Sequence, residues 1–271
     1  MRGLFSAGVT DVLMENGIVF DGLIGVSAGA AFGCNYKSHQ PGRVLRYNIR
    51  YCRDPRYCSF RSLIKTGDLF GKDFCYRQLP EKLDIFDKET FRQNTMEFHV
   101  VCTDVITGRP VYKKIDTVDE KCYEWMCASA SMPFVSRVTE IDGLSLLDGG
   151  ISDSVPLKYF ESIGFDRNIV VLTQPLGYVK KKNFMLPLMN LALKKYPGAV
   201  KAIKTRHDMY NDTIKYISEK EKSGEIIVIR PPHALPVGRV EKDPEKLRLA
   251  YKIGRNEVEK KLDEIKEFLE K

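Results

Sequence analysis

Histidine is scarce in this sequence: His39, His99, His207 and His233 are the only four in 271 residues. His99 lies inside the strand-like run EFHVVC, His207 in TRHDMY and His233 in PPHALP. None follows a strand end between glycines, where a histidine would be presented to a neighbouring nucleophile. His233, after a strand in a proline-rich loop, comes nearest. Long apolar runs are also missing: nothing approaches the roughly 20 residues that cross a bilayer. The first residues lack the basic, apolar, small-residue order of a secretory leader. Seven cysteines, an odd number with no CxxC pair, argue against a disulfide framework and for reduced thiols in a cytoplasmic protein. Cys52, Cys58 and Cys75 lack metal-finger spacing, so no metal and no other cofactor is expected.

Positive charge is plentiful. The net charge is +7, and it is concentrated. Residues 43–65 carry seven Lys/Arg against one Asp, and residues 176–206 carry eight against no acid. Both stretches interleave the charge with aromatic and aliphatic residues. Such surfaces attract nucleic acid or anionic lipid headgroups, or are simply solvated. Neither stretch carries a nucleic-acid-binding motif, so no nucleic-acid partner is expected.

Strand-like and helix-like segments alternate along the chain. Leu4–Asn16 places Phe5, Val9, Val12 and Leu13 on one helical face, with Asn16-Gly17 as a stop. Phe20–Val26, Glu97–Val105, Ile141–Asp148, Asn168–Thr173 and Glu225–Ile229 contain apolar, β-rich runs. Thr117–Ser129 reads as helix. Asp243-Pro244 is a cap followed by proline at the first helical position, and Leu247, Tyr251, Gly254, Val258, Leu262, Ile265 and Leu269 repeat beyond it at helical spacing. The pattern predicts an α/β protein, a three-layer α/β/α sandwich with a largely parallel central sheet.

Within it, DGLIGVSAGA (residues 21–30) places Ser27 between Gly25 and Gly29, after an apolar strand and before small residues entering a helix. This is the strand-turn-helix arrangement of a nucleophile elbow. A sharp turn holds the serine, and side chains at Gly25 and Gly29 are expected to collide across it. The helix N-terminus under the serine would favour an oxyanion, with the Ala28 amide as donor. The serine needs a base. In LSLLDGGISDSVP, Asp148 ends an apolar run, and Gly149-Gly150 would turn the chain and expose its carboxylate at the sheet edge. A partly desolvated carboxylate can serve as base, because burial raises its pKa.

Taken together, GVSAG at 25–29, ASASMP at 128–133, DGG at 148–150 with Pro156 beyond, and the opening MRGLFSAGVTDVLMENGI resemble the patatin-like phospholipase family. The resemblance runs from residue 1 to about 175, which defines an expected catalytic core over 1–175. Residues 176–271 resemble, less specifically, the helical extension of a bacterial subgroup. The resemblance implies a Ser–Asp dyad that hydrolyses acyl esters of lipids through an acyl-enzyme, without histidine or metal. Ser27 is then the nucleophile. Asp148 activates first Ser27 and then the deacylating water. The family opens with a short strand and a glycine-rich oxyanion loop ending in x-Arg-Gly, and here only Met1-Arg2-Gly3 stand for it. The expectation is an oxyanion hole reduced to the Ala28 and Gly3 amides beside Arg2, a sheet with an unpaired edge, and weak catalysis. Alternatives are acyl transfer by the same dyad, or a lipid- or partner-binding protein. Residues 183–193, NFMLPLMNLAL, flanked by Lys180, Lys181 and Lys182 and by Lys194 and Lys195, suit an acyl-chain cover, peripheral contact with anionic membrane, or a helix packed on the core.

Overall fold

The computed structural model describes residues 1–182, 184 and 186–270, without the side chains of 190 and 192. Helix α1 (Gly3–Glu15) is followed by strand β1 (Gly22–Val26), which turns at once into α2 (Ala28–Lys37). Helices α3 (Arg43–Tyr51) and α4 (Phe60–Thr66), a π-helical segment over Phe74–Leu83, and α5 (Lys88–Gln93) lead to β2 (Glu97–Asp104). Then come β3 (Pro110–Lys114), α6 (Glu120–Ser129), β4 (Thr139–Ile141), β5 (Leu144–Asp148), α7 (Leu157–Ser162) and β6 (Asn168–Val171). The remainder comprises α8 (Leu186–Ala192), α9 (Pro197–Lys222), β7 (Ile226–Ile229), α10 (Pro244–Glu259) and α11 (Leu262–Glu270).

Strand β2 organises the site. Residues 98–104 are all buried, as its apolar run predicts. One of its edges carries β3, antiparallel, over His99–Thr103. The opposite edge is shared by two strands. β1 runs parallel to it over Glu97–Val101, and β5 runs antiparallel over Cys102–Asp104. Because β1 and β5 approach from opposite directions, their C-terminal ends meet head to head. Val26 is in register with Val101, and Asp148 with Cys102, the next residue along. The sheet is therefore less parallel than expected. Only β1–β2 and the separate pair β6–β7 are parallel, while β3, β4 and β5 join antiparallel. Two of these pairs follow from short connections: β2–β3 and β4–β5 are hairpin-linked, and a hairpin can only return antiparallel.

One face of β2 packs Phe98, Val100 and Cys102 against Phe91, Trp125 and Leu146. Strand β6 pairs with β7, so the segment after residue 175 completes a sheet begun before it. Helix α10 crosses α1 at close range. A Cβ at Gly8 would lie 2.1 Å from the Tyr251 carbonyl oxygen, and one at Gly254 would lie 2.0 Å from that of Phe5. Asp243 caps α10 by accepting a hydrogen bond from the Glu245 amide at 2.9 Å. The single C-terminal helix expected from the periodicity is two, interrupted at Lys260-Lys261, though Val258 and Ile265 stay in one cluster.

Candidate active site

Ser27 lies between β1 and α2 with φ 56° and ψ −119°, a conformation that side-chain-bearing residues rarely adopt. Its amide donates to Ser129 Oγ at 2.9 Å, and Ser129 Oγ donates in turn to the Val101 carbonyl at 2.6 Å. The strained turn is thus tied to β2 through a fully buried hydroxyl. Gly25 is required as expected: a Cβ there would meet the Gly29 carbonyl oxygen at 2.4 Å and the Ala30 nitrogen at 2.6 Å. Gly29 is different. A Cβ there would meet nothing within 4 Å, so the expected collision does not exist at that position. Its side is open because Gly29 borders a cavity. Ser27 also serves as the residue before the first turn of α2, and its carbonyl accepts from the amides of Ala30 and Ala31. The amides of Ala28 and Gly29 have no acceptor among the described residues. Gly3, at the start of α1, packs on the same turn, where a Cβ would lie 2.8 Å from that of Ala28. Two helix N-termini therefore converge beside Ser27, both with positive dipole ends.

Asp148 is 6% exposed. Its amide donates to the Ser131 carbonyl at 2.8 Å, and its carbonyl accepts from Thr103 Oγ1 at 2.8 Å. The carboxylate accepts from the Gly150 amide at 2.8 Å. A Cβ at Gly149 would collide with the Val101 carbonyl oxygen at 2.2 Å, so this glycine lets the turn lie flat on β2. Burial pushes the Asp148 carboxyl above the ordinary carboxylate range. The nearby Ser27 side chain pulls the other way, as do the hydrogen bond from the Gly150 amide and the charges of Arg206 and Arg239. Ser27 and Asp148 are thus adjacent, as the sheet register requires.

Both face a cavity of about 1780 Å³. Its lining includes Tyr47, Tyr57, Tyr76, Leu79, Phe86 and Met126. It also borders β1 and β6. β1 is the end strand of its sheet, and β6 belongs to the other one.

The histidines stand elsewhere. His99 Nε2 bonds Glu97 at 2.8 Å, and its ring packs edge-on to Phe160. His207 lines the cavity, but its ring pairs with Asp208 at 3.4 Å, and among the described residues none of the four bonds Ser27. His233 is exposed. Among the described residues, no three His, Cys, Asp or Glu side chains gather as a metal-binding group. Lys181, Lys182, Lys194 and Lys195 are exposed, but Lys180 is not a surface lysine like its neighbours. Its ammonium lies 4.3 Å from the centre of the Tyr210 ring, in the cavity wall. Of the apolar segment between them, Asn183 and Met185 lie outside the described residues. Phe184, Leu188 and Leu191 are exposed, at 91%, 52% and 72%.

Two contributors escape a reading of the sequence. Ser129 lies inside ASASMP, but nothing local marks it as the partner of the elbow amide. Arg206 comes from α9, where its Nε donates to the Gly150 carbonyl at 2.5 Å. It sits in a lysine-rich helix with no signal of its own.

An α/β core thus holds a strained serine at a strand-to-helix turn, with a buried carboxylate nearby. The comparisons are specific: residues 1–161 match the patatin-like phospholipase family, and the chain belongs to it. Residues 196–270 match a domain of unknown function (DUF6363). YjjU of Escherichia coli K12, an uncharacterised protein, is 26% identical over 274 aligned positions, covering 94% of this chain and 72% of YjjU. Uncharacterised NTE family proteins of Mycobacterium tuberculosis and Mycobacterium bovis are 27% identical over 170 residues. That alignment takes in 63% of this chain and 45% of theirs.

Proposed function

We propose that the chain is a serine hydrolase of lipid acyl esters working through a Ser27–Asp148 dyad and an acyl-enzyme. The observation that carries this is the head-to-head meeting of β1 and β5 on neighbouring residues of β2, which brings the hydroxyl of Ser27 to the carboxylate of Asp148. Asp148 takes the Ser27 proton as Oγ attacks the ester carbonyl. The raised pKa suits this, since a base near the operating pH transfers protons best. The tetrahedral oxyanion is received by the Ala28 amide, with the Gly3 end of α1 and Arg2 beside it. The protonated Asp148 then gives its proton to the leaving alcohol. A water, deprotonated by the same carboxylate, releases the acid and restores Ser27. The aromatic and aliphatic part of the cavity lining suits the acyl chain.

The test is labelling with an alkyl fluorophosphonate and hydrolysis of p-nitrophenyl esters of increasing chain length. Labelling at Ser27 that is lost in Ser27→Ala, with hydrolysis lost in Asp148→Asn, is expected. Hydrolysis that persists in Ser27→Ala overturns the assignment.

We also propose that the exposed Phe184, Leu188 and Leu191, with Lys181, Lys182, Lys194 and Lys195, touch anionic membrane peripherally. No helix among the described residues is long and apolar enough to cross one. Co-sedimentation with phosphatidylserine vesicles that weakens with salt and in a four-lysine-to-glutamate variant is expected. Salt-insensitive binding refutes the electrostatic part.

A further inference from the structure

The positive stretch that opens at Arg43 begins with a side chain that is not on the surface. Arg43, the first residue of α3, is 4% exposed and lines the cavity. Its Nη1 donates to Asn35 Oδ1 at 2.9 Å, and its Nε and Nη2 donate to the Asp84 carbonyl at 3.2 and 2.5 Å. A guanidinium has five N–H donors, so these bonds leave two. The guanidinium carbon lies 5.5 Å from the centre of the Tyr47 ring and 5.2 Å from that of Phe86. Asp84 Oδ1 is 3.3 Å from Arg43 Nε, but Arg46 grips both oxygens of the same carboxylate at 2.8 Å. Among the described residues neither arginine pairs with another acid. Two arginines share one carboxylate, and one positive charge is left over at the cavity.

Two phenols stand with it. Tyr47, 5% exposed, and Tyr76 both line the cavity, and among the described residues neither hydroxyl has a hydrogen-bond partner. Tyr57 differs, since its hydroxyl donates to Asn48 Oδ1 at 2.9 Å. The three groups form one cluster: the charge of Arg43 acts on the Tyr47 phenol, and Tyr47 on that of Tyr76. Burial pushes both phenols well above the ordinary tyrosine range, so both keep their protons and stand as donors. Donors buried without an acceptor are unfavourable unless a ligand brings one. The cluster also has a fixed distance from the nucleophile. Asn35, which Arg43 holds, is eight positions after Ser27 on α2, about 12 Å along the helix axis.

We infer that Arg43, with the hydroxyls of Tyr47 and Tyr76, forms a subsite for a carboxylate at the far end of the acyl chain, so that the acyl group presented to Ser27 is that of a dicarboxylic acid esterified at one end. The substrate half of this rests on the hydrolase reading above. The charge calls for an anion, because the surplus at the cluster is positive and single. A carboxylate matches it, since its two oxygens accept from a guanidinium and from phenols together. A chain ending in methyl would leave those donors unpaired. A site built on hydrogen bonds rejects an analogue that lacks the group far more strongly than an apolar pocket rejects a missing methylene. At about 1.2 Å per bond, the spacing of an extended backbone, the 12 Å along α2 takes roughly ten carbons. Phe32, Leu79 and Met126, which also line the cavity, suit the methylenes.

The test compares the p-nitrophenyl ester of decanoic acid with the mono-p-nitrophenyl ester of decanedioic acid at neutral pH, using the full chain. The dicarboxylic half-ester is expected to have a kcat/KM at least tenfold higher. The double variant Tyr47→Phe, Tyr76→Phe keeps both rings and removes only the hydroxyls, and it should lower that ratio at least fivefold. Arg43→Lys keeps the charge but not the paired donors, and it should also lower the ratio. An Arg43 that merely braces α2 and α3 would depress both esters together and leave the ratio unmoved. A ratio at the wild-type value in both variants therefore overturns the subsite. Binding is read separately in Ser27→Ala, by titration with monomethyl decanedioate and methyl decanoate, where the first is expected to bind at least tenfold more tightly. Hydrolysis of both p-nitrophenyl esters without preference, with equal binding in Ser27→Ala, overturns the subsite alone. Tighter binding of monomethyl decanedioate with no hydrolysis of either ester overturns the hydrolase reading, and with it the substrate half of the inference.

Discussion

The two glycines that flank Ser27 should behave differently when each receives one methyl group. In Gly25→Ala the new Cβ would fall 2.4 Å from the Gly29 carbonyl oxygen, 2.5 Å from its carbon and 2.6 Å from the Ala30 nitrogen. All three are backbone atoms of the first turn of α2, so no side chain can rotate away. The helix start must retreat from β1 by several tenths of an ångström. Overpacking of this kind costs about 1–3 kcal/mol. At roughly 2–4 °C per kcal/mol for a chain of this size, Tm should drop by about 2–12 °C. The same retreat moves the Ala28 amide relative to Ser27 Oγ, and displacements approaching 1 Å lower rates by about 10². In Gly29→Ala the methyl group meets nothing within 4 Å. Alanine is also the better helix former, by roughly 0.5–1 kcal/mol. Tm should hold or rise slightly. Thermal melts of both variants, with the rate of fluorophosphonate labelling at Ser27, make the comparison. Equal destabilisation by the two substitutions would refute the geometric account of the elbow.

Asp148 holds its proton to higher pH in the folded chain than in the unfolded one, so between the ordinary carboxylate value of 3.8 and the raised one the folded state binds more protons. Stability therefore falls as pH rises through that window, and Asp148→Asn should melt above the wild type at neutral pH, the difference closing toward about pH 4 in thermal melts. Because the base must be ionised, the acid limb of kcat/KM should have its midpoint above 3.8, and an unshifted limb would count against Asp148 as the base. Ser129→Ala leaves the Ser27 amide and the Val101 carbonyl without their partner. It should destabilise by about 1–3 kcal/mol in urea melts and slow labelling of Ser27, while Ser129→Thr, if it packs, should retain part of both. Gly254→Ala must push α10 off α1, since its Cβ would lie 2.0 Å from the Phe5 carbonyl oxygen, and should cost about 1–3 kcal/mol in the same assay.

The turns that carry Ser27 and Asp148 were legible because their determinants are local. Ser27 lies between an apolar strand and small helix-entering residues, and Asp148 lies before two glycines. Each requirement is written within a few positions of the residue it serves. Among the described residues none of the four histidines bonds Ser27. The length of α1 and the cap of α10 are local too, and both appear where periodicity and Asp243-Pro244 predict. What was not legible depends on partners distant in sequence. Gly29 reads like Gly25, but whether a methyl group fits depends on the cavity wall opposite. Lys180 reads like Lys181 and Lys182, but Tyr210 and Asn211, thirty residues on, draw it inward. Arg206 lies on one side of a long helix, and only the packing of α9 against the turn at Gly150 gives it a role.

The meeting of Ser27 and Asp148 is the strongest case of such dependence. It rests on β5 lying antiparallel along the same edge of β2 that β1 uses, in a register that puts Asp148 opposite Cys102 while Val26 is opposite Val101. Side chains alternate along a strand with a period of two, so a slip of β5 by one residue would turn Asp148 to the other face of the sheet, away from Ser27. Three features hold that register: the Thr103 hydroxyl on the Asp148 carbonyl, the Asp148 amide on the Ser131 carbonyl, and Gly149 lying flat on the Val101 carbonyl. Val101 is also the carbonyl that receives Ser129, which holds the Ser27 amide. One peptide of β2 therefore anchors both the Ser27 turn and the Asp148 turn, which lie far apart in the sequence. A substitution that disturbs the backbone at Val101 should move Ser27 and Asp148 together, although neither touches its side chain chemistry.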